Sequence, residues 1–151
     1  MREISTLKGV IDFATEKEAE AEGLYKNLAG QIRSERAKTI FTELAAEEHK
    51  HYNALQNLDV ALIGEKRLQD IPDLKISNYL HDVAYEPDMS YQDILVLAMK
   101  SEEHSHGLYK GLADNSDDPE LKKLFEFLAM QEARHKLRIE TEYDDFILTE
   151  D

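Results

Sequence analysis

Along the chain, apolar residues recur every three or four positions, and the rows they form are interrupted by polar groups near their centres. Val10, Phe13, Lys17, Ala21, Leu24 and Leu28 make one such row, and Ile40, Leu44, Glu48, His51 and Leu55 a second. Ile94, Leu97, Ser101, His104 and Leu108 make a third, and Leu121, Leu124, Leu128, Glu132, His135 and Ile139 a fourth. This spacing is that of amphipathic helices. It predicts four long helices over 4–32, 35–63, 91–114 and 119–146. Ser34 is placed to cap the second. Asp118 caps the fourth, with Pro119 in the first-turn position that proline tolerates. Ser90 with Asp93 three residues on resembles a capping box in which Asp replaces the usual Glu or Gln.

Tight turns near Arg33-Ser34 and within 115–118 make the first two helices antiparallel neighbours, and likewise the last two. The stretch from Gly64 to Met89 differs. It contains Pro72 and Pro87, and at ~3.3 Å per extended residue it can run the length of a bundle. A short helix within 73–84 fits there. The expected fold is all-α, a single domain over 1–151 built as a four-helix bundle with a long crossover between helices 2 and 3.

The two halves repeat at a constant offset of 84 residues, with no gap. Gly23-Leu24-Tyr25-Lys26 and Leu28-Ala29 reappear as Gly107-Leu108-Tyr109-Lys110 and Leu112-Ala113. Phe41, Leu44 and Ala45 reappear as Phe125, Leu128 and Ala129. The polar interruptions keep the same offset: Glu18 with Glu102, Glu48 with Glu132, His51 with His135. Packing alone accounts for shared Leu and Ala in duplicated hairpins. It does not account for one Glu and one Glu-x-x-His in each half, on faces otherwise reading as core. The paired glycines, Gly23 and Gly107, suggest close approach of helices.

Residues three apart on a helix project from one face. Glu48 with His51, and Glu132 with His135, therefore each offer a carboxylate and an imidazole to one ion, and Glu18 and Glu102 add a carboxylate from each remaining helix. Four Glu and two His balance two divalent ions, and mixed oxygen and imidazole donors suit iron or manganese. This ligand set is that of di-iron and di-manganese carboxylate bundles. Tyr25 and Tyr109 each lie two turns after a candidate ligand Glu. They serve either to orient a carboxylate by a hydrogen bond or as large core residues. His49, His104 and His106 read as non-ligands, His81 falls in the crossover without a visible partner set, and Glu16, Glu20, Glu22, Glu47 and Glu103 read as solvated charges. Glu20 or Glu103 becomes a ligand only if the helical phase is off.

On Glu18 with Gly-Leu-Tyr, Glu48-x-x-His51, Ser101-Glu102 and Glu132-x-x-His135, nearly the whole chain resembles the rubrerythrin family of the ferritin-like superfamily. The resemblance implies a ferritin-like bundle holding two iron ions, with manganese or a mixed pair as the alternative. Glu48 and Glu132 would bridge the metals, Glu18 and Glu102 would be terminal ligands, and His51 and His135 would each cap one metal. It implies reduction of hydrogen peroxide or oxygen, a separate electron-donor protein and a homodimer. Two features depart from the family. Rubrerythrins typically carry a Cys-rich rubredoxin domain, and this sequence has no Cys. They also tend to have a further Glu three residues after the third-helix ligand, where this chain has Ser105. That Glu is associated with a ligand exchange between redox states.

Composition narrows the rest. The 151 residues, 42% of them hydrophobic, suffice for one core. The lack of Cys excludes disulfides, thiolate metal sites and a Cys nucleophile. A formal charge of −14 argues against nucleic acid as a partner. No apolar run is long enough for a membrane span, and the first residues lack the apolar core of a signal peptide, so the expected location is cytoplasmic. Three functions share the same ligands: peroxide or oxygen reduction, ferroxidase activity with iron storage or delivery, and a non-catalytic, metal-stabilised helical module that binds a partner.

Overall fold

The computed structural model describes residues 7–58 and 89–150, with side chains as far as 148. The described residues form four helices: α1 (Leu7–Gln31), α2 (Glu35–Gln56), α3 (Tyr91–Asp114) and α4 (Pro119–Glu150). The chain divides into two compact units, Met1–Gln69 and Asp70–Asp151. The first contains the α1–α2 hairpin and the second the α3–α4 hairpin. The crossover, the short helix expected within 73–84, His81 and the first residues expected in α1 lie outside the described residues.

α2, α3 and α4 each start where the sequence offers an acceptor. Ser34, in extended conformation (φ −68°, ψ 122°), accepts the Ala37 N–H at 3.3 Å. Ser90 (φ −69°, ψ 159°) accepts the Asp93 N–H at 3.1 Å. Asp118 Oδ1 accepts from Glu120 N at 2.9 Å and from Leu121 N at 3.2 Å, which satisfies donors that the first turn of a helix leaves open. The ends differ more from expectation. α2 stops at Gln56 rather than at 63, and Asn57 closes it, its N–H turned back onto Asn53 and Leu55 carbonyls. α4 continues to Glu150 rather than stopping at 146. Its last turns are held to the start of α3: Tyr91 meets Phe146 edge-on with centroids 5.0 Å apart, and Gln92 Nε2 donates to Tyr143 Oη at 3.2 Å.

The repeat in sequence is a repeat in burial. Tyr25, Leu28, Phe41, Leu44 and Ala45 are buried in the first unit, and Tyr109, Leu112, Phe125, Leu128 and Ala129 at the same offset in the second. Tyr25 packs on Phe41 with ring centroids 5.7 Å apart. In α1 and α3, however, the buried row runs one position later than the apolar row expected from spacing. Lys17, Ala21 and Leu24 are only half-buried, as are Ile94, Leu97, Ser101 and His104, whereas Ile11, Ala14 and Glu18, and likewise Leu95, Ala98 and Glu102, are fully buried. Lys17 reaches out along the rim, its ammonium 5.3 Å from the Phe13 ring centroid and 3.2 Å from Glu20 Oε2. A flexible alkyl stem lets the charge stay in water beside an apolar row.

The first hairpin is also tied by a polar lattice on its flank. Glu22 of α1 accepts from Lys26 Nζ at 2.6 Å, and its other oxygen lies 2.9 Å from His49 Nδ1 of α2. The Lys26 hydrogen bond, with a smaller contribution from His49, holds the Glu22 carboxyl below its ordinary range despite the cost of partial burial. A carboxyl lowered in the folded state stabilises the fold above its unfolded pKa, and the gain is lost as pH falls through the folded pKa.

The expected close approach at Gly23 is absent: a Cβ built there meets nothing within 4 Å, and the residue is exposed. Its cost to the helix is therefore uncompensated by packing. Gly23→Ala is expected to stabilise the protein by ~0.5–1 kcal/mol in urea unfolding; a loss of stability would mean that the position serves a contact the hairpin does not make. For Glu22, the stability difference between wild type and Glu22→Gln should be present at neutral pH. It should shrink as pH falls below the ordinary carboxylate value of 4.5, measured by denaturant melts across the acid range.

Candidate metal centre

The first unit brings three ligand-type side chains together. Glu18 comes from the buried row of α1, and Glu48 and His51 from one face of α2, three residues apart. Glu18 is 2% exposed, Glu48 1% and His51 4%. One donor atom from each lies within 4.8 Å of the others. His51 Nδ1 is 3.5 Å from Glu18 Oε2 and 3.8 Å from Glu48 Oε2. The second unit repeats the arrangement with Glu102 of α3 and Glu132 and His135 of α4. All three are at most 2% exposed, again with donor atoms within 4.8 Å of one another. His135 Nδ1 is 3.7 Å from Glu102 Oε2 and 3.8 Å from Glu132 Oε2.

The six residues singled out by spacing thus form two matching sets, one in each hairpin. In both, Nδ1 is the ring nitrogen turned to the carboxylates. Each set holds two carboxyl groups against a single imidazole, an excess of acidic over basic groups away from solvent. Burying uncompensated charge costs several kcal/mol per ion. A divalent cation among these donors reverses that sign, and oxygen with imidazole donors is a set that iron or manganese accepts. The residues fit a metal.

Other candidates fall away. Glu20 and Glu103 are exposed, with 64% and 63% of their side-chain surface in solvent, so neither replaces Glu18 or Glu102. Glu16 is exposed and Glu47 half-buried. Glu22 is the exception among the expected solvated charges, being engaged by Lys26 and His49. His49 is exposed and His104 half-buried; His106 is half-buried and bonds through Nδ1 to the Ala129 carbonyl at 2.8 Å, which serves α3–α4 packing. Tyr25 and Tyr109 are each 1% exposed, so their rings are core in both units whatever their hydroxyls do.

One buried acid escaped the spacing argument. Glu142 of α4 is 4% exposed and accepts a hydrogen bond from Tyr91 Oη at 3.0 Å. It has no counterpart in the first half, where the position at the repeat offset is Leu58. The available signal was its place two turns after His135 on the same helical face.

Comparison with known proteins agrees with this geometry. The family model described as Rubrerythrin matches residues 9–82 and 93–151. No curated protein gives a significant match. Among solved structures, a hypothetical protein from Pyrococcus furiosus is similar at 26% identity, covering 92% of this chain and 89% of that one with a TM-score of 0.70. A candidate ferritin-like diiron-carboxylate protein from Thermotoga maritima is similar at 19% identity, covering 92% and 95%, with a TM-score of 0.72. At that identity the likeness shows the fold, which is the all-α ferritin-like fold expected from the helix pattern. With the family model matched over most of its length, this chain belongs to the rubrerythrin family.

Proposed function

We propose that this chain holds two iron ions and reduces hydrogen peroxide with electrons from a separate donor protein. The observation that carries the reading is the doubled ligand set: each hairpin buries one Glu from its first helix and a Glu-x-x-His from its second. Membership of the rubrerythrin family supports it. So does the likeness to a structure described as a ferritin-like diiron-carboxylate protein.

In this reading Glu18, Glu48, His51, Glu102, Glu132 and His135 would hold the ions, with Glu48 and Glu132 as the carboxylates shared between them, Glu18 and Glu102 each serving one ion, and His51 and His135 offering Nδ1. A ferrous pair supplies one electron per ion and Lewis-acid stabilisation of developing negative charge. The protein's own part is to fix and to exclude. Helical spacing holds each Glu-x-x-His pair on one face without a loop to adjust. Burial keeps bulk water from the donors and strengthens their electrostatic interactions. With an ion on Nδ1, each neutral imidazole would carry its proton on Nε2, on the far side of the ring. The Tyr25 and Tyr109 rings pack beside the helix faces that carry the ligands, and their hydroxyls orient the terminal carboxylates. Reducing one peroxide to two waters consumes two electrons and two protons, and the donor protein restores the electrons.

Ser105 favours a second reading. Where rubrerythrins tend to carry a Glu, this chain has a half-buried Ser, which removes the carboxylate associated with ligand exchange between redox states. Ferroxidase activity with iron storage or delivery uses the same six ligands without that exchange.

Anaerobic titration of the apo protein with ferrous iron is expected to saturate at two irons per chain. Rapid mixing is then expected to show faster oxidation by peroxide than by oxygen. Faster oxidation by oxygen, with uptake beyond two irons, would transfer the assignment to the ferroxidase reading, and absence of tight ferrous binding would remove both. Stability gives a separate check. Glu18→Gln removes one of two buried like charges in its set, so the apo protein should melt higher than wild type. The same variant should lose most of the rise in Tm that ferrous iron gives wild type, a rise worth ~2.7 kcal/mol at one hundred times Kd. Tyr25→Phe should weaken ferrous affinity by about tenfold, the lower end of effects seen when a ligand's hydrogen-bond partner is removed, while leaving the stoichiometry unchanged.

A further inference from the structure

The first hairpin is hollow at the end away from its turn. A cavity of about 240 Å³ lies there between α1 and the last turn of α2, and all of its lining belongs to this one unit. Its inner wall is buried and consists of Ile11, Thr15 and Leu55. Its mouth carries the exposed Lys8, Asp12 and Gln56 and the half-buried Leu58. Thr15 stands three residues before Glu18, and Leu55 four after His51. The inner wall therefore lies one helical turn, a rise of ~5.4 Å, from two of the three ligand-type groups of this unit.

The lining selects by charge and by size. Lys8 and Asp12 are the charged groups in it, and they neutralise each other, Lys8 Nζ lying 2.8 Å from Asp12 Oδ2. The hydroxyl of Thr15 donates to the Ile11 carbonyl at 2.7 Å, and Gln56 Nε2 donates to Tyr52 Oη at 3.2 Å. No net charge is left to hold an ion, and a chain of net charge −14 disfavours anions further. The ligand that fits is neutral. Hydrogen peroxide, with two heavy atoms, needs little of this space. An apolar cavity of roughly 150 Å³ already holds a benzene molecule, so this one has room for a short-chain organic molecule against Ile11, Leu55 and Leu58.

The internal repeat shows that the hairpin does not require this cavity. At the corresponding places the second hairpin has Met99 for Thr15, Val96 for Asp12 and Glu142 for Leu58. There Tyr91 Oη donates to Glu142 at 3.0 Å and joins α3 to α4 across the same end. The ligand-type residues are alike in the two halves, and the approach to them along the helices is not.

We infer that this cavity binds short-chain organic hydroperoxides and makes them substrates alongside hydrogen peroxide. The inference rests on the peroxide-reducing function proposed above. The alkyl group lies against Ile11, Leu55 and Leu58, with the peroxide end directed past Thr15 toward Glu18 and His51. Reduction breaks the O–O bond. Two electrons, restored by the same donor protein, and two protons convert the hydroperoxide to the corresponding alcohol and water.

Two measurements test this. In methyl NMR of the full chain, tert-butanol, an unreactive stand-in for tert-butyl hydroperoxide, should give saturable shifts at Ile11, Thr15 and Leu55 and not at their counterparts Leu95, Met99 and Ile139. In rapid mixing of the ferrous-loaded protein, tert-butyl hydroperoxide should oxidise the iron. Thr15→Met places in the first hairpin the side chain that the second carries at 99. It should lower the ratio of the tert-butyl hydroperoxide rate to the hydrogen peroxide rate by about tenfold or more, the discrimination that a small misfit in an apolar pocket gives. Leu58→Trp narrows the mouth at a half-buried position, where the fold is not at risk, and should lower the same ratio. Absence of reaction with either peroxide would overturn the function proposed above and organic hydroperoxides as substrates with it. Reaction with hydrogen peroxide but no methyl shifts with tert-butanol, or a ratio unchanged in both variants, would overturn this inference alone.

Discussion

Burial of negative charge is the constraint on which the rest of this structure depends. Each hairpin places two carboxylates and one imidazole where almost no solvent reaches them. Apolar residues at these positions would be cheaper for folding alone, since taking an ionisable group out of water costs far more than a buried methyl group gains. The arrangement is stable only when a cation or a proton compensates the carboxylates. The helices around it hold the donors in place. They start on side-chain caps at Ser34, Ser90 and Asp118 and run for twenty-two residues or more. Large buried side chains lie between the ligands and the turn of each hairpin: Tyr25, Phe41 and Leu44 in one unit, Tyr109, Phe125 and Leu128 in the other.

How much of this could be read from sequence depended on which features repeat. Helix starts were legible because a cap is a local matter of one side chain and two or three backbone donors. The six ligands were legible because the same Glu and Glu-x-x-His recur 84 residues apart with nothing in packing to require them. The helical phase of α1 and α3 was less legible. Apolar spacing pointed to the row through Lys17 and Ser101, while the buried row passes through Glu18 and Glu102. The error has a physical origin. A buried Glu counts against its own row in any hydrophobic tally, so the residue that matters most to the site shifts the apparent core face by one position. Reading the two acids as paired across the repeat, rather than as interruptions, corrects the phase.

Features without a partner in the repeat were not legible. Glu142 is a buried carboxylate present in one half only, and its burial rests on Tyr91, fifty-one residues away in sequence. The last turns of α4 rest on the same region, through Phe146 and Tyr143 against Tyr91 and Gln92. The end of α2 was misjudged for the opposite reason. Its apolar pattern continues past Gln56, but Asn57 turns its own N–H onto the preceding carbonyls and ends the helix locally. Gly23 shows that even repetition can mislead. Its counterpart at 107 suggested a packing role, yet a Cβ would find open space there.

The two hairpins therefore differ in a patterned way. Where they face their own cores and ligands they have stayed alike, because a change in a ligand or in a packed aromatic is felt at once through lost metal affinity or a cavity. At the ends and on the outside they have diverged. The second hairpin has a buried Glu142 that accepts from Tyr91, a longer final helix and large exposed apolar residues on α4, and the first has a polar flank in which Glu22 bridges Lys26 and His49. Divergence of that kind follows from a division of constraint: the metal-type donors bind both halves to one template, and the outer surface is free to specialise. At the positions where α4 carries Phe127, Met130 and Leu137, α2 carries Glu43, Ala46 and Asn53, so the helix forms without large apolar groups on its outer side, and the two outer surfaces differ while the inner ones agree.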